Sequence, residues 1–339
     1  MSNPRPNYFR FISADINGDG FTDVMGLGDY GPSCTNITGW LSTASLFAFK
    51  NDLWNSFKNK SATGNATTSQ LKSLTNNSDA AINYTYDKNG NIETISEGAV
   101  QKAKYYYDEM NQLIREDNVY VNKTITYAYD TNGNISNKKE YAYTTGTLGT
   151  VIKTYSYVYG ATWKDKLTSY DSKTITYDVI GNPLTYNGWT YTWQNGRQLA
   201  SMSKTGTSIS YKYNDSGIRT QKMVNGVAAN YYTDGTNVIY ETKGSDTFYY
   251  TYDVGGNLIS FNLNGSEYYY VRNGQNDIIG LLDNTGAKVA NYVYDSWGKL
   301  ISIKDAAGNV KTTDTTFVGY KNPYRYRGYR YDSETALYY

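Results

Sequence analysis

A tyrosine pair followed by aspartate and, three residues on, by glycine recurs along this 339-residue chain, and few folds accept that punctuation. It stands as "YTYDKNGNIETI" at residues 84–95 and returns as "YAYDTNGNISNK", "YTYDVGGNLISF" and "YVYDSWGKLISI". Tyr84 and Tyr86 lie two apart, so in a strand they share one face. Asp87-Lys88-Asn89-Gly90 places a side-chain acceptor first and a residue tolerant of positive φ last. That is the signature of a type I turn closed by a left-handed bulge, a common three-residue hairpin loop. Each unit is therefore one β-hairpin.

The same pattern recurs at Asp108 to Asn111, Asp130 to Gly133, Asp178 to Gly181, Asp253 to Gly256, Asp283 to Gly286, Asp295 to Gly298 and Asp305 to Gly308, and with Asn214 in place of aspartate in "YKYNDSGIR". "YTWQNGRQL" carries a shorter turn at Asn195-Gly196. The early repeats are about 21 residues apart, which accommodates two strands and two turns. The 39 Tyr and 31 Gly, with only 5 Pro, favour strands and tight turns.

Composition also excludes chemistry. The chain has no His, so Ser-His-Asp and Cys-His pairs and imidazole metal sites cannot be assembled. The one cysteine, Cys34, permits neither an internal disulfide nor a cysteine zinc site. Repeat aspartates have a regular place in turns, where they cap backbone, and we expect no enzyme. A net charge of +1 gives no reason to expect nucleic acid or an anionic membrane. No apolar run approaches membrane-spanning length, and "MSNPRPNYFRFISADING" lacks an export signal, so we expect a piece of a longer protein. In "YRYRGYRY", strand alternation would put tyrosines on one face and Arg325, Arg327 and Arg330 on the other.

Three segments follow: residues 1–50, with short apolar strands around an acidic loop; residues 51–83, a Ser/Thr/Asn/Lys-rich stretch expected to be a polar linker; and the repeats of 84–339. In "ADINGDGFTDVMG", Asp15, Asn17, Asp19, the Phe21 carbonyl and Asp23 alternate oxygen donors around Gly18 and Gly20, a spacing that suits Ca²⁺. Gly26 stands where an EF-hand would have its bidentate glutamate. The loop resembles the calcium loops of FG-GAP and VCBS repeats, which implies a remnant, partial β-propeller-like blade.

Residues 84–339 resemble the YD repeats of Rhs proteins, wall-associated proteins and the teneurin YD shell. The stretch ending in "NPYRYRGYRYDSETALYY" resembles the Rhs-associated core. The resemblance implies an all-β hairpin ribbon forming a curved or partial shell, a secreted or cell-surface scaffold that encapsulates and delivers a C-terminal polymorphic toxin. Its partners would be that cargo or the remaining shell segments. The Asp-Pro element of many relatives is absent, so self-cleavage is not carried over. About 24 strands at ~4.8 Å give a ribbon of roughly 115 Å. A wall around a cargo of about 100 residues, with a radius of gyration of ~13 Å, needs roughly 160 Å. The alternative reading is a calcium-dependent module that binds a surface glycan.

Overall fold

The computed structural model describes residues 9–14, 23–29, 35–38 and 61–65 as strand backbone, and residues 70–76 and 79–339 in full. The chain divides into two compact units, one of residues 1–102, 251–260 and 266–339, the other of residues 103–250 and 261–265. In chain order the strands begin with β1 (Phe9–Ala14), β2 (Asp23–Asp29), β3 (Thr35–Thr38), β4 (Ser61–Asn65), β5 (Gln70–Thr75), β6 (Ile82–Tyr86) and β7 (Ile92–Glu97). Next come β8 (Val100–Tyr107), β9 (Leu113–Asn118), β10 (Lys123–Tyr129), β11 (Ile135–Ala142), β12 (Lys153–Tyr159), β13 (Leu167–Tyr170), β14 (Lys173–Tyr177) and β15 (Pro183–Tyr186). β16 (Trp189–Gln194), β17 (Gln198–Lys204), β18 (Thr207–Tyr213), β19 (Arg219–Val224), β20 (Val227–Asp234), β21 (Asn237–Lys243) and β22 (Asp246–Tyr252) follow. The last are β23 (Leu258–Leu263), β24 (Ser266–Arg272), β25 (Ile278–Asp283), β26 (Lys288–Tyr294), β27 (Leu300–Asp305), β28 (Tyr331–Asp332) and β29 (Leu337–Tyr338). Among the described residues stand beside these one four-residue helix, α1 (Val318–Lys321), and one turn of 3₁₀ helix at Tyr326–Gly328. The fold is nearly all-β.

In the first unit β1, β2 and β3 make an antiparallel meander, with Ala14 paired to Asp23 and Gly26 to Thr38. β4 pairs with β5, β5 with β6 and β6 with β7. The C-terminal ladder runs β24-β25-β26-β27, also antiparallel. Within the stretch 51–83, expected to be a polar linker, β4 and β5 instead pair into the sheet, while residues 51–60 lie outside the described residues. Thr and Ser sit well in a strand when neighbours on both sides supply the ladder. β5 has them: Leu74 is buried, and the Ser73 hydroxyl donates to Asn83 Oδ1 across the β5–β6 pair at 2.8 Å.

The second unit is a run of antiparallel neighbours from β8 to β22, each strand paired to the next in sequence. Alternation decides what is buried. In β18, Ile209 and Tyr211 point inward while Ser208, Ser210 and Lys212 are exposed. Trp189, Met202, Ile209 and Tyr211 pack into one cluster. In both units the first tyrosine of the repeat is the buried one, as at Tyr84, Tyr127, Tyr211, Tyr250 and Tyr292.

Candidate functional site

Of the residues expected to hold calcium, Asp15, Asn17, Asp19 and Phe21 lie outside the described residues. Asp23 opens β2 and pairs with Ala14 at the end of β1. Among the described residues no group of three or more His, Cys, Asp or Glu could hold a metal ion.

The repeat turns have the expected geometry. At Asp130 the backbone N–H donates to the Asn134 carbonyl, and the Gly133 N–H donates back to the Asp130 carbonyl. Gly133 takes φ 83°, where a side chain would be strained. The carboxylate organises the loop: Oδ1 accepts from the N–H groups of Asn132 and Asn134, and Oδ2 from the Asn134 side-chain amide at 3.0 Å. The same three contacts recur around Asp87 and Asp305. Donation by the asparagine side chain, reinforced by the backbone N–H groups, holds all three carboxyls below the usual aspartate range. These aspartates are spent on turns. A further such turn, missed in the sequence, runs from Asn273 to Asn276, with Asn276 at φ 67°. Asparagine at both key places hides it.

The second tyrosine of each repeat has a role that the sequence did not reveal. The hydroxyl of Tyr86 donates to the Leu71 carbonyl, Tyr129 to Leu113, Tyr159 to Ile135, Tyr177 to Leu167, Tyr213 to Leu199 and Tyr294 to Ile278. Each acceptor opens a strand of the preceding hairpin, or lies one residue inside it, where the backbone ladder has stopped. Between β9 and β10, for example, pairing ends at Arg115 and Thr126, and the Tyr129 phenol supplies the next bond. Trp193 does the same for the Pro183 carbonyl and Arg272 for that of Leu258. Neighbouring repeats are thus tied along one rim.

In the first unit the C-terminal stretch folds onto the buried side of the β24–β27 ladder. "NPYRYRGYRY" is not an alternating strand: Arg327 sits in a tight turn at φ 53°, and Tyr324 bridges back to Arg330. The expectation of an alternating strand with arginines on the face opposite the tyrosines is therefore corrected. Arg325 is 1% exposed, lies over the Tyr292 ring at 4.6 Å and donates to the Tyr320 carbonyl. Arg330 is buried over Tyr324. The turn wins because it satisfies a buried amide. Asn322 Nδ2 donates to Tyr292 Oη and the Tyr324 carbonyl, while Oδ1 accepts from the Tyr270 hydroxyl and the Tyr324 N–H. Burial, then the neighbouring phenols, pushes Tyr270 far above the ordinary tyrosine range. Asp277 receives the Arg327 N–H at 3.1 Å, and burial raises its carboxyl. α1 fits against the sheet because Gly319 has no side chain; a Cβ there would come within 2.9 Å of Ala290 Cβ.

The same unit joins early and late hairpins. The Gly274 N–H donates to Tyr84 Oη at 2.9 Å, Asn76 Nδ2 to the Arg272 carbonyl, and Lys288 pairs with Asp79. Burial lifts the Tyr84 phenol to about 12. In the second unit Glu116 is fully buried, accepting from the Tyr127 hydroxyl and Asn118 Nδ2.

Residues 50–161 match the family model described as the teneurin YD-shell. The tRNA3(Ser)-specific nuclease WapA of Bacillus spizizenii (strain DSM 15029 / JCM 12233 / NBRC 101239 / NRRL B-23049 / TU-B-10) is 36% identical over 242 residues, 69% of this chain and 10% of that protein. The tRNA nuclease WapA of Bacillus subtilis (strain 168) is 38% identical over 182 residues, 52% of this chain and 7% of that protein. The chain thus spans a tenth or less of the length of these curated relatives. Among solved structures, the TcdB2-TccC3-TEV and TcdB2-TccC3-Cdc42 proteins are similar over 94% of this chain and 21% of theirs, at 14% and 13% identity and a TM-score of 0.39. A likeness at that TM-score carries no weight here. Residues 50–161 are thus similar to the teneurin YD-shell, and a larger part of the chain is similar to a short stretch of the WapA proteins.

Proposed function

We propose that this chain is a non-enzymatic wall segment of a YD-repeat shell that encloses and delivers a C-terminal polymorphic toxin outside the producing cell. The observation that carries this reading is the use of the repeat's polar groups. Aspartates close turns and rim tyrosines tie hairpin to hairpin, so the recurrent chemistry of the repeat serves wall-building. The buried tyrosines supply large rings with polar tips, among charged side chains such as Glu116 and Glu241 that accept from them. Two relatives are named as tRNA nucleases, and this chain matches a small part of each; we assign it the shell and not the nuclease. Ca²⁺ at Asp15, Asn17, Asp19, the Phe21 carbonyl and Asp23 belongs to the same proposal, and calorimetric titration with CaCl₂ tests it.

The test of the shell is protease protection. The natural reading frame containing this chain is expressed and digested with and without a denaturant that opens the sheet. Cargo that resists protease until the sheet opens supports the reading. Cargo cut at the rate of the free domain overturns it.

A further inference from the structure

Asparagine followed by glycine recurs at the hairpin tips, at Asn89, Asn132, Asn187, Asn195, Asn225, Asn264 and Asn273 among the described residues. The dipeptide suits a tight turn because both residues tolerate positive φ. It also carries a reaction. The glycine nitrogen can attack the side-chain carbonyl carbon of the asparagine before it, since a glycine has no side chain to block the approach.

Most tips hold that chemistry back. At Asn89 and Asn132 the attacking nitrogen is occupied, because the Gly90 and Gly133 N–H groups donate to the Asp87 and Asp130 carbonyls. At Asn273 the Gly274 N–H donates to Tyr84 Oη, and the side-chain carbonyl accepts from the Gln275 and Asp277 N–H groups. Asn225 and Asn264 are held at both ends of the amide. Their Oδ1 atoms accept from the Ser208 and Thr247 N–H groups, and their Nδ2 atoms donate to the Gly206 carbonyl and Asp246 Oδ1. Asn195 Nδ2 donates to Gln198 Oε1, and the Gly196 carbonyl accepts from Asn182 Nδ2 at 2.7 Å.

Asn187 differs. It and Gly188 are exposed, at φ 49° and 81°, and among the described residues neither the Asn187 amide nor the Gly188 N–H has a hydrogen-bond partner. The hairpin beneath is short, its register joining only Thr185 to Thr190 and Tyr186 to Trp189. The ladder under Asn225 continues from Val224–Val227 to Gln221–Asn230, and that under Asn195 from Gln194–Gln198 to Thr190–Ser203. A short ladder costs less to open locally, and opening lets the tip rotate into the geometry of attack.

We infer that Asn187 is the position at which this chain spontaneously converts asparagine to isoaspartate. The Gly188 nitrogen bonds to Asn187 Cγ and gives up its proton, ammonia leaves, and a five-membered succinimide results. Water then opens the ring. Attack at the main-chain carbonyl leaves the peptide running through Cγ, as isoaspartate, and attack at Cγ gives aspartate. One water is consumed for each ammonia released, with no oxidant and no cofactor. Isoaspartate lengthens the main chain by one carbon and adds a negative charge, so the two-residue tip no longer closes Tyr186 against Trp189. Trp189 packs with Met202, Ile209 and Tyr211, so the loss reaches that cluster. The conversion runs one way and gives β15–β16 a finite lifetime. This inference is independent of the shell reading and of the calcium loop.

The full chain is aged at neutral pH and physiological temperature, folded and in urea. Isoaspartate is counted by peptide mass spectrometry with electron-transfer fragmentation, and by methyl transfer from S-adenosylmethionine with an isoaspartate-specific carboxyl methyltransferase. In the folded chain Asn187 converts at least about tenfold faster than Asn195, Asn225 or Asn264, equivalent to about 1.4 kcal/mol. In urea the four rates converge to within about threefold, because the dipeptide is the same and the fold no longer protects it. Equal rates in the folded chain overturn the inference, and so does a tenfold lead that persists in urea, which assigns it to neighbouring sequence. Amide hydrogen exchange of residues 183–194 rises in the aged parent. It stays at the fresh parent's level in freshly prepared Asn187→Asp, which carries the charge without the extra carbon. Unchanged exchange in the aged parent, or a fresh Asn187→Asp that exchanges as fast as the aged chain, overturns the opening of the hairpin.

Discussion

Replacing Asn322 by alanine removes four hydrogen bonds from a site with 0% exposure. Tyr292 keeps a partner, since its hydroxyl also donates to the Gly319 carbonyl. The Tyr270 hydroxyl, the Tyr324 N–H and the Tyr324 carbonyl each lose one bond, the carbonyl keeping a long contact from Arg325 at 3.5 Å. At ~1 kcal/mol for each buried hydrogen bond removed, the expected loss is about 3–5 kcal/mol, confined to the clamp of residues 318–339. Amide hydrogen exchange by mass spectrometry reads that loss locally. At tenfold per 1.4 kcal/mol, protection of 318–339 falls by about 100-fold or more, while β10 and β11 keep theirs. Asn322→Asp retains the acceptor but loses both donors and buries a charge, so it does not rescue. A drop below about threefold in 318–339 would refute the assignment of Asn322 as the pin of this segment.

Three further outcomes follow from the geometry. Tyr129→Phe removes one rim tie and lowers stability by about 1 kcal/mol, read as a shifted urea midpoint at constant slope; an unchanged midpoint sinks the tie. Gly133→Ala forces a side chain to φ 83° and costs about 1–2 kcal/mol, whereas Gly133→Asn costs less, because Asn111 occupies the equivalent place at φ 61°; equal losses in a thermal melt contradict this. Burial raises the Tyr84 phenol from 10.0 to about 12, so its neutral form is favoured in the fold. Its stabilisation is complete below pH 10 and is lost as pH rises toward 12, visible in the difference in tyrosinate absorbance between the folded parent and the folded Tyr84→Phe variant, which rises later than the ordinary phenol titration; a difference that rises at the ordinary value would contradict the burial.

Turns are the most legible part of this fold. Asp130 and Gly133 act within five residues of one another, so their chemistry is written locally. The 273–276 turn escapes because Asn replaces both signal residues, though its hydrogen bonds are the same. β4 and β5 escape because Ser, Thr and Lys carry no apolar period, and their strand state comes from neighbours in the sheet. The rim ties and the burial of Glu116 are less legible still. Tyr129 meets Leu113, and Glu116 meets Tyr127, only after strand register is set. For "YRYRGYRY" alternation points the wrong way, since Asn322, outside the quoted octet, dictates the turn. The acidic loop is legible as a donor pattern, and among its residues only Asp23 falls in a described strand.

Because each rim tie reaches only to the hairpin before it, a gene can lengthen or shorten such a wall by whole hairpins at little cost. Adding two strands leaves every existing phenol opposite its accustomed carbonyl and keeps the ring-lined surface on one side. Adding one strand would reverse the chain's direction and send the following phenols to the wrong edge. Evolution by duplication is thereby channelled into even steps, and the length of the ribbon becomes a quantity that can drift in units of one hairpin.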